Sequence, residues 1–297
     1  MRLTSRICGF VFLWNRRKRA LLFLVLGAAA LPVWWVLWFL ALGALQSPEE
    51  LGVLYGPVLR DAPGLAGWTV LPSWPTLRPL AELLLDTPEF FAMFWNSCRL
   101  ALPQLLGQLL VGAPAAWAFS RLRFFGRQAL FGLYLLLMVL PFQVTMVPGY
   151  LVLGSLGLLD TRWAVVLPGV FSTFPVFIMA KSFDAVPRAM LEAARIDGAG
   201  PLQTFLRIGL PLGAPGVAAA AVLGFLDGWN LIEQPMTYLK SPSLWPLSIA
   251  MPGFSAASEL GGLALAASLV ALVPAVLVFL CGQRYLELGI QSSGLKG

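Results

Sequence analysis

Long apolar stretches alternate along this chain with short polar interruptions punctuated by Gly and Pro. Charge-free windows run over Ala20–Pro48, Leu100–Ser120, Gln128–Leu159, Trp163–Ala180, Ile208–Leu226 and Leu260–Gln283. About 20 apolar residues cross a hydrocarbon core as a helix, so each window predicts one membrane span. The first span is trimmed to 20–45, and the third to 129–153, because Gly154, Gly157 and Asp160 read as an exit turn. A seventh window, Ser241–Ser258, holds Pro242, Pro246, Pro252 and several serines. Such a stretch would leave backbone groups unpaired in lipid and is predicted to be a loop. Ala62–Leu77, with Pro63, Pro72 and Pro75, is excluded on the same ground. The pattern predicts an all-α polytopic membrane protein with six transmembrane helices.

Composition narrows the chemistry. Of 297 residues, 59% are hydrophobic and 11% charged, against roughly a quarter charged in soluble domains. There is no histidine, and Cys8, Cys98 and Cys281 form no CxxC. Neither a metal site nor a disulfide frame is indicated, and no catalytic residue is assigned. An intramembrane enzyme would need a Ser–Lys or paired-Asp arrangement. The trimmed spans contain no lysine, and Asp227 has no aspartate partner. An ion-coupled carrier would bury carboxylates near the midplane, and none is evident. No internal repeat is visible either. The chain also lacks a phosphate-binding GxxxxGK[ST]: Lys181-Ser182 follows Ala180, with Pro175 where the first glycine belongs.

The basic residues orient the spans. Arg2, Arg6, Arg16, Arg17, Lys18 and Arg19 precede the first span, and Arg121, Arg123 and Arg127 join the second to the third. Lys181, Arg188, Arg195 and Arg207 join the fourth to the fifth, and Arg284 and Lys296 lie in the tail. With both termini cytoplasmic, fifteen of the twenty Lys and Arg lie inside, as the positive-inside rule prefers. The net charge of +6 is thereby spread along inner loops, which argues against nucleic acid as a partner. Residues 1–19 are read as a cytoplasmic segment and 20–45 as a retained signal-anchor helix rather than a cleaved signal. Residues 46–94 form a Pro-rich extracytoplasmic segment with acidic Glu49, Glu50, Asp61, Glu82, Asp86 and Glu89. A short amphipathic helix near Leu80–Leu85 is expected there, lying along the membrane. Residues 95–283 form a five-helix core with a cytoplasmic loop at 181–207, and 284–297 form a cytoplasmic tail.

That loop has 27 residues, more than a turn between adjacent helices requires. Pro187 suits the start of a helix and Gly198 its left-handed end. Between them, Arg188, Glu192 and Arg195 share one face, and Leu191, Ala194 and Gly198 a neighbouring one. Ala193 and Ala194 leave the backbone bare, so a partner's surface can approach. Pro201 opens a second short helix, whose Phe205 and Ile208 lead back to the bilayer.

The run Glu192-Ala193-Ala194, three residues, Gly198, nine residues, Ile208, one residue, Leu210-Pro211 resembles a known cytoplasmic signature. It is that of permease subunits of binding-protein-dependent ABC importers of type I. Asn96-Ser97, Ala118-Phe119-Ser120-Arg121 with Phe124 and Gly126, and Leu140-Pro141 resemble the carbohydrate-uptake subfamily. So do Val147-Pro148, Leu156-Gly157-Leu158, Trp229-Asn230 and the ending Leu295-Lys296-Gly297. The chain looks most like the smaller, maltose-type second permease, and it departs at Gln291-Ser292-Ser293, where relatives carry a Thr-Ala-Gly-like run. The resemblance implies a coupling helix at Glu192–Gly198, including Asp197, seated in a cleft of an ATPase subunit, with Lys296 and Gly297 also reaching the ATPase pair. It implies two separate ATP-binding subunits that hold the ATP and Mg, with no cofactor in this chain. A second permease (a heterodimer), an extracytoplasmic solute-binding protein, a sugar as cargo, and a bacterial or archaeal inner membrane complete the picture. A permease for a non-sugar solute is the first alternative, and an ion-coupled secondary transporter the second.

Polar residues within spans face protein or water. Asn96, Gln104, Gln108, Gln143, Thr145, Asp227 and Asn230 therefore mark a candidate substrate path, with Trp229 as a platform on which a sugar could stack. For Gln104 and Gln108, hydrogen bonding between helices is the favoured role.

Overall fold

A computed structural model describes residues 16–59, 63, 65, 67, 69–249 and 262–294. Its contacts divide the chain into two units. One is Met1–Glu82 with Ser258–Leu269, and the other is Leu83–Ala257 with Val270–Gly297.

In the first unit, α1 spans Arg16–Gly43 and, after its four basic residues, is apolar on all sides over Ala20–Gly43. Leu24, Leu31 and Trp34 are each about two-thirds exposed or more, as expected of a helix whose solvent is lipid. The next helix, α2 (Pro48–Leu59), lies within the segment read as Pro-rich. Pro48 occupies its first position, where a missing N–H costs nothing, and Glu49 and Glu50 follow in the first turn. The indole of Trp38 donates to the Val70 carbonyl at 3.0 Å, and the Ser73 amide donates to the Glu50 carboxylate at 2.9 Å. These ties hold the extended segment against the two helices. A helical turn at Arg78–Ala81 runs into a π-helical turn at Glu82–Asp86, so the helix expected near Leu80–Leu85 is present.

The second unit is built around α3, Pro88–Arg121. At about 1.5 Å per residue its 34 residues are much longer than a hydrocarbon core. The expected span, Leu100–Ser120, is its C-terminal part. After it, α4 (Arg127–Val139) and α5 (Phe142–Ser155) meet at 104°. This corrects the single straight span expected at 129–153. Pro141 has no N–H to give and forces Leu140 out of helical geometry, to φ −68° and ψ 125°. The fourth span runs Trp163–Asp184 and consists of α6 (Trp163–Val170) and α7 (Thr173–Asp184). A surface helix, α8 (Arg188–Ile196), leads to α9 (Pro201–Leu212), which contains a π-helical turn at Phe205–Gly209.

The fifth span is also bent. At Gly213 the chain turns 74° into α10, Ala214–Trp229. Ile208 to Leu212, expected within the span, belong to the arm before the bend. Gly216 lets α10 approach α7, because a Cβ there would collide with Ser182. A short helix, α11 (Glu233–Tyr238), and the turn Pro242–Leu244 follow. The described part of the window expected to be a loop, up to residue 249, contains no span; the rest lies outside the described residues. The last helix, α12 (Gly262–Gly294), extends the expected span by two turns or more, so the tail begins as helix. Four helices are long and apolar enough to cross a membrane, and counting each bent pair as one span brings the total to six.

Candidate coupling helix and membrane cavities

Pro187 is extended (φ −62°, ψ 132°), and α8 begins directly after it. Glu192, Ala193 and Arg195 are exposed, whereas Leu191 and Ala194, three residues apart, are buried. The helix closes through Gly198 at φ +82°, with the Ala199 amide returning to the Ala194 carbonyl at 2.9 Å. A β-carbon is disfavoured at that backbone angle, which explains the glycine. Asp197 is exposed beside it. Ala194 packs against its own chain, and of the two alanines only Ala193 faces outward.

Beneath α8 lies an aromatic cluster. Trp117 of α3 meets Phe183 of α7 and Phe205 of α9 with ring centroids 5.5 and 5.6 Å apart, and Phe183 meets Phe205 at 6.1 Å. Leu191 joins this cluster, and Ile208 and Leu210 pack against it. Pro211 is exposed on α9. A β-carbon at Gly209 would come within 2.6 Å of the Trp117 ring, so the glycine is what lets α9 close on α3. Arg121, the last residue of α3, donates to the Phe183 carbonyl at 2.9 and 2.5 Å and also to the Val186 carbonyl. The Phe183 carbonyl lies in the last turn of α7 and also accepts the Val186 amide at 3.1 Å, while Val186 follows just beyond the helix. The Ser120 hydroxyl adds a 2.7 Å bond to Asp184. The inner side of α8 therefore rests on α3, α7 and α9 together. Trp117, Arg121, Phe183 and Phe205 had not been singled out for this role, although Arg121 stood in the motif Ala118-Phe119-Ser120-Arg121. Lys296 and Gly297 lie outside the described residues.

At the other end of α10 is a cavity of ≈ 720 Å³, lined by Asp227, Asn230, Glu233, Ser172, Phe174 and neighbouring apolar residues. Gln143 reaches this group by donating to the Glu233 carboxylate at 2.7 Å. Three of the expected path residues are thus assembled, and Glu233 and Phe174 are additions. The other three are placed differently. Thr145 bonds the Phe142 carbonyl at 3.1 Å and lines a separate cavity of ≈ 400 Å³. Asn96 is 2% exposed and donates to the Ser243 and Trp245 carbonyls, fastening a loop. Trp229 is 6% exposed, stacks on Phe225 at 5.7 Å and donates to the Ala271 carbonyl at 3.1 Å. It cannot serve as a stacking platform, because both its ring face and its N–H are already engaged. The Gln108 amide donates to the Gly169 carbonyl at 2.9 Å, in line with an interhelical role.

Broken spans, an amphipathic surface helix packed on three others, and a cavity between helices describe a multi-pass membrane protein. The chain belongs to the family described as binding-protein-dependent transport system inner membrane component, which it matches over residues 108–291. It is 30% identical to the arabinooligosaccharides transport system permease protein AraQ of Halalkalibacterium halodurans, over 76% of this chain and 81% of that one. It is 32% identical to the trehalose transport system permease protein SugB of Mycobacterium tuberculosis, over 70% and 78% respectively. The lactose transport system permease protein LacG of Rhizobium radiobacter is 31% identical, over 68% and 74%. In fold, the chain is similar to a crystallised chain of a bacterial ABC transporter involved in import of the acidic polysaccharide alginate. The TM-score is 0.74 and the identity 22%, with 96% of this chain and 98% of that chain covered.

Proposed function

We propose that this chain is one permease of an ATP-driven importer for an oligosaccharide or small sugar, and that α8 is the joint through which ATP-binding subunits move the spans. The observation that carries this is the division of α8 into two faces. Leu191 is seated on the Trp117–Phe183–Phe205 cluster and Ala194, three residues on, is buried as well, which leaves Glu192, Ala193 and Arg195 outward. The sugar names of the relatives support the cargo class. The positive-inside distribution supports a cytoplasmic α8 and cytoplasmic termini. In this reading two partner subunits hold ATP and Mg, a second, different permease completes the pathway, and an extracytoplasmic binding protein delivers the solute. Glu192 meets a cationic or polar group of the ATPase cleft, Asp197 and Gly198 shape the end of the helix, and Lys296 and Gly297 add a tail contact. Asp227, Asn230, Gln143 and Glu233 form the polar wall of the path.

The test is uptake of labelled arabinooligosaccharide, trehalose and lactose by cells producing the whole system, with Glu192→Ala and Gly198→Pro variants. Uptake falls at least tenfold, about 1.4 kcal/mol of lost coupling. Each variant still reaches the membrane, and its co-purified ATPase activity drops with uptake. Normal uptake by both variants, with no ATPase held by the native chain, would overturn the reading.

A further inference from the structure

A third cleft in the second unit has the opposite chemistry to the Asp227 cavity. It measures ≈ 630 Å³ and is bounded by Arg99, Arg162, Trp163, Pro103, Val166 and Leu244. Neither arginine has an acidic partner; the ion pair among the described residues is Arg78–Glu82. Asp160 borders the same cleft, but its carboxylate already accepts the Lys240 and Ser241 amides at 2.8 Å and the Ser241 hydroxyl at 2.5 Å. The cleft keeps one net positive charge. Arg162 reaches the Asn96 side-chain oxygen through one terminal nitrogen at 3.5 Å, while its Nε is buried with no partner. A guanidinium fork is shaped for two oxygens of a single acid group, and the donors of this one are only partly used.

The surroundings say what brings those oxygens. Trp95, Arg99, Leu102, Leu106 and Leu110 follow one another at three- and four-residue steps and form one face of α3. The four apolar members are 55%, 48%, 60% and 76% exposed, and Arg99 is exposed between Trp95 and Leu102. Trp163, 55% exposed, opens the adjacent span. In a membrane protein, exposed leucines face acyl chains, and tryptophans mark the headgroup level. An arginine there meets lipid phosphate rather than water alone. We propose that the Arg99–Arg162 cleft binds the phosphate of an anionic phospholipid, whose chains lie along the Leu102–Leu110 face. A zwitterionic lipid fits less well, because its cationic headgroup would meet two arginines and an Asp160 whose oxygens are already committed. The site is independent of which way the spans face, since headgroups border the bilayer on both sides.

The test uses the full chain in detergent micelles. Thermal unfolding and retained lipid, read by native mass spectrometry, are followed after adding phosphatidylglycerol, phosphatidylcholine or inorganic phosphate. Phosphatidylglycerol raises the unfolding midpoint and remains bound, whereas phosphatidylcholine does neither. Exposed Arg99→Gln weakens this response about tenfold, as loss of one charge-assisted phosphate contact implies. Arg99→Gln combined with Arg162→Gln abolishes the preference for phosphatidylglycerol, and Arg123→Gln, at a loop position, leaves it intact. Equal responses to both lipids, or an undiminished preference in Arg99→Gln and the double variant, would overturn the site. Inorganic phosphate reproducing the full shift overturns the lipid in favour of a free anion. A response that disappears only when a second permease is co-purified overturns it in favour of a protein interface.

Discussion

Two phenylalanines on α7, nine residues apart, live in different worlds. Phe183 is 0% exposed and locked between Trp117 and Phe205, while Phe174 is 44% exposed on the wall of the Asp227 cavity. About 13 Å of helix separates them. At the end next to α8, glycines at 209 and 216 bring helices into contact and Arg121 closes the end of α7, leaving a cleft of only ≈ 170 Å³. The far end is open and lined with acceptors. A transporter needs both properties, a stiff end to receive motion and a roomy end to admit cargo. One helix, α7, joins the two, with Phe174 open to the cavity although its neighbours Pro175 and Val176 are buried.

The comparison breaks most visibly if both phenylalanines are truncated. Phe183→Ala should cost about 3–5 kcal/mol of stability, the range for emptying a packed aromatic site. Phe174→Ala should stay within about 0.5 kcal/mol, as an exposed position does, and should act on uptake instead. Thermal unfolding of the purified chain alongside cellular uptake separates the two; equal destabilisation would remove the contrast. Arg121→Gln comes next, with a loss of about 1.5–3 kcal/mol for charged hydrogen bonds to backbone. Arg121→Lys should recover only part of this, because one ammonium cannot reproduce the fork that reaches two carbonyls. Gly198→Ala is smaller in stability, about 1–2 kcal/mol for a left-handed residue gaining a β-carbon. Its uptake defect should exceed what that destabilisation predicts if α8 transmits force, and should merely track it if α8 is only a connector.

Much of this was legible in the sequence, for physical reasons. Charge-free length marks a span because lipid leaves a chain few options, and the spacing from Pro187 to Gly198 marks a helix because both residues restrict the backbone. The 104° and 74° bends were not foreseen. Hydropathy says that a segment is apolar but not that it is straight, although Leu140-Pro141 and Gly213 were there to be read as breaks. Helix α2 was not foreseen within the Pro-rich segment, although a proline such as Pro48 at the first position is no obstacle to a helix. The path residues were half legible. Polarity picked out Asp227 and Asn230, but could not tell a cavity wall from a fastened loop such as Asn96, or an open ring from the engaged Trp229. Those distinctions depend on which carbonyl lies opposite, and only the fold decides that.

The smallest predicted effect lies at Asp160, near the loose end, and asks whether the openness there is bounded. Asp160 adopts φ +58°, a conformation few residues besides Gly, Asn and Asp tolerate. Its carboxylate joins two loops through Ser241 and Lys240. The Ser241 hydroxyl first, then the Ser241 and Lys240 amides, hold its carboxyl below the ordinary carboxylate value. A lowered folded-state value means that the ionised form supplies the stabilisation. That stabilisation is complete above the unfolded value of about 3.9 and drains away as pH falls through the folded one. The Lys240 and Ser241 amides should therefore stay protected from hydrogen exchange at pH 5 and lose protection below about pH 4, once intrinsic exchange rates are corrected for. Asp160→Asn keeps an acceptor and tolerates the same φ, so its protection should be lower at pH 5 and flat across that interval. If native and variant proteins show the same slope, the loops are held by packing instead. The cavity end would then be stiffer than the contrast between Phe174 and Phe183 implies.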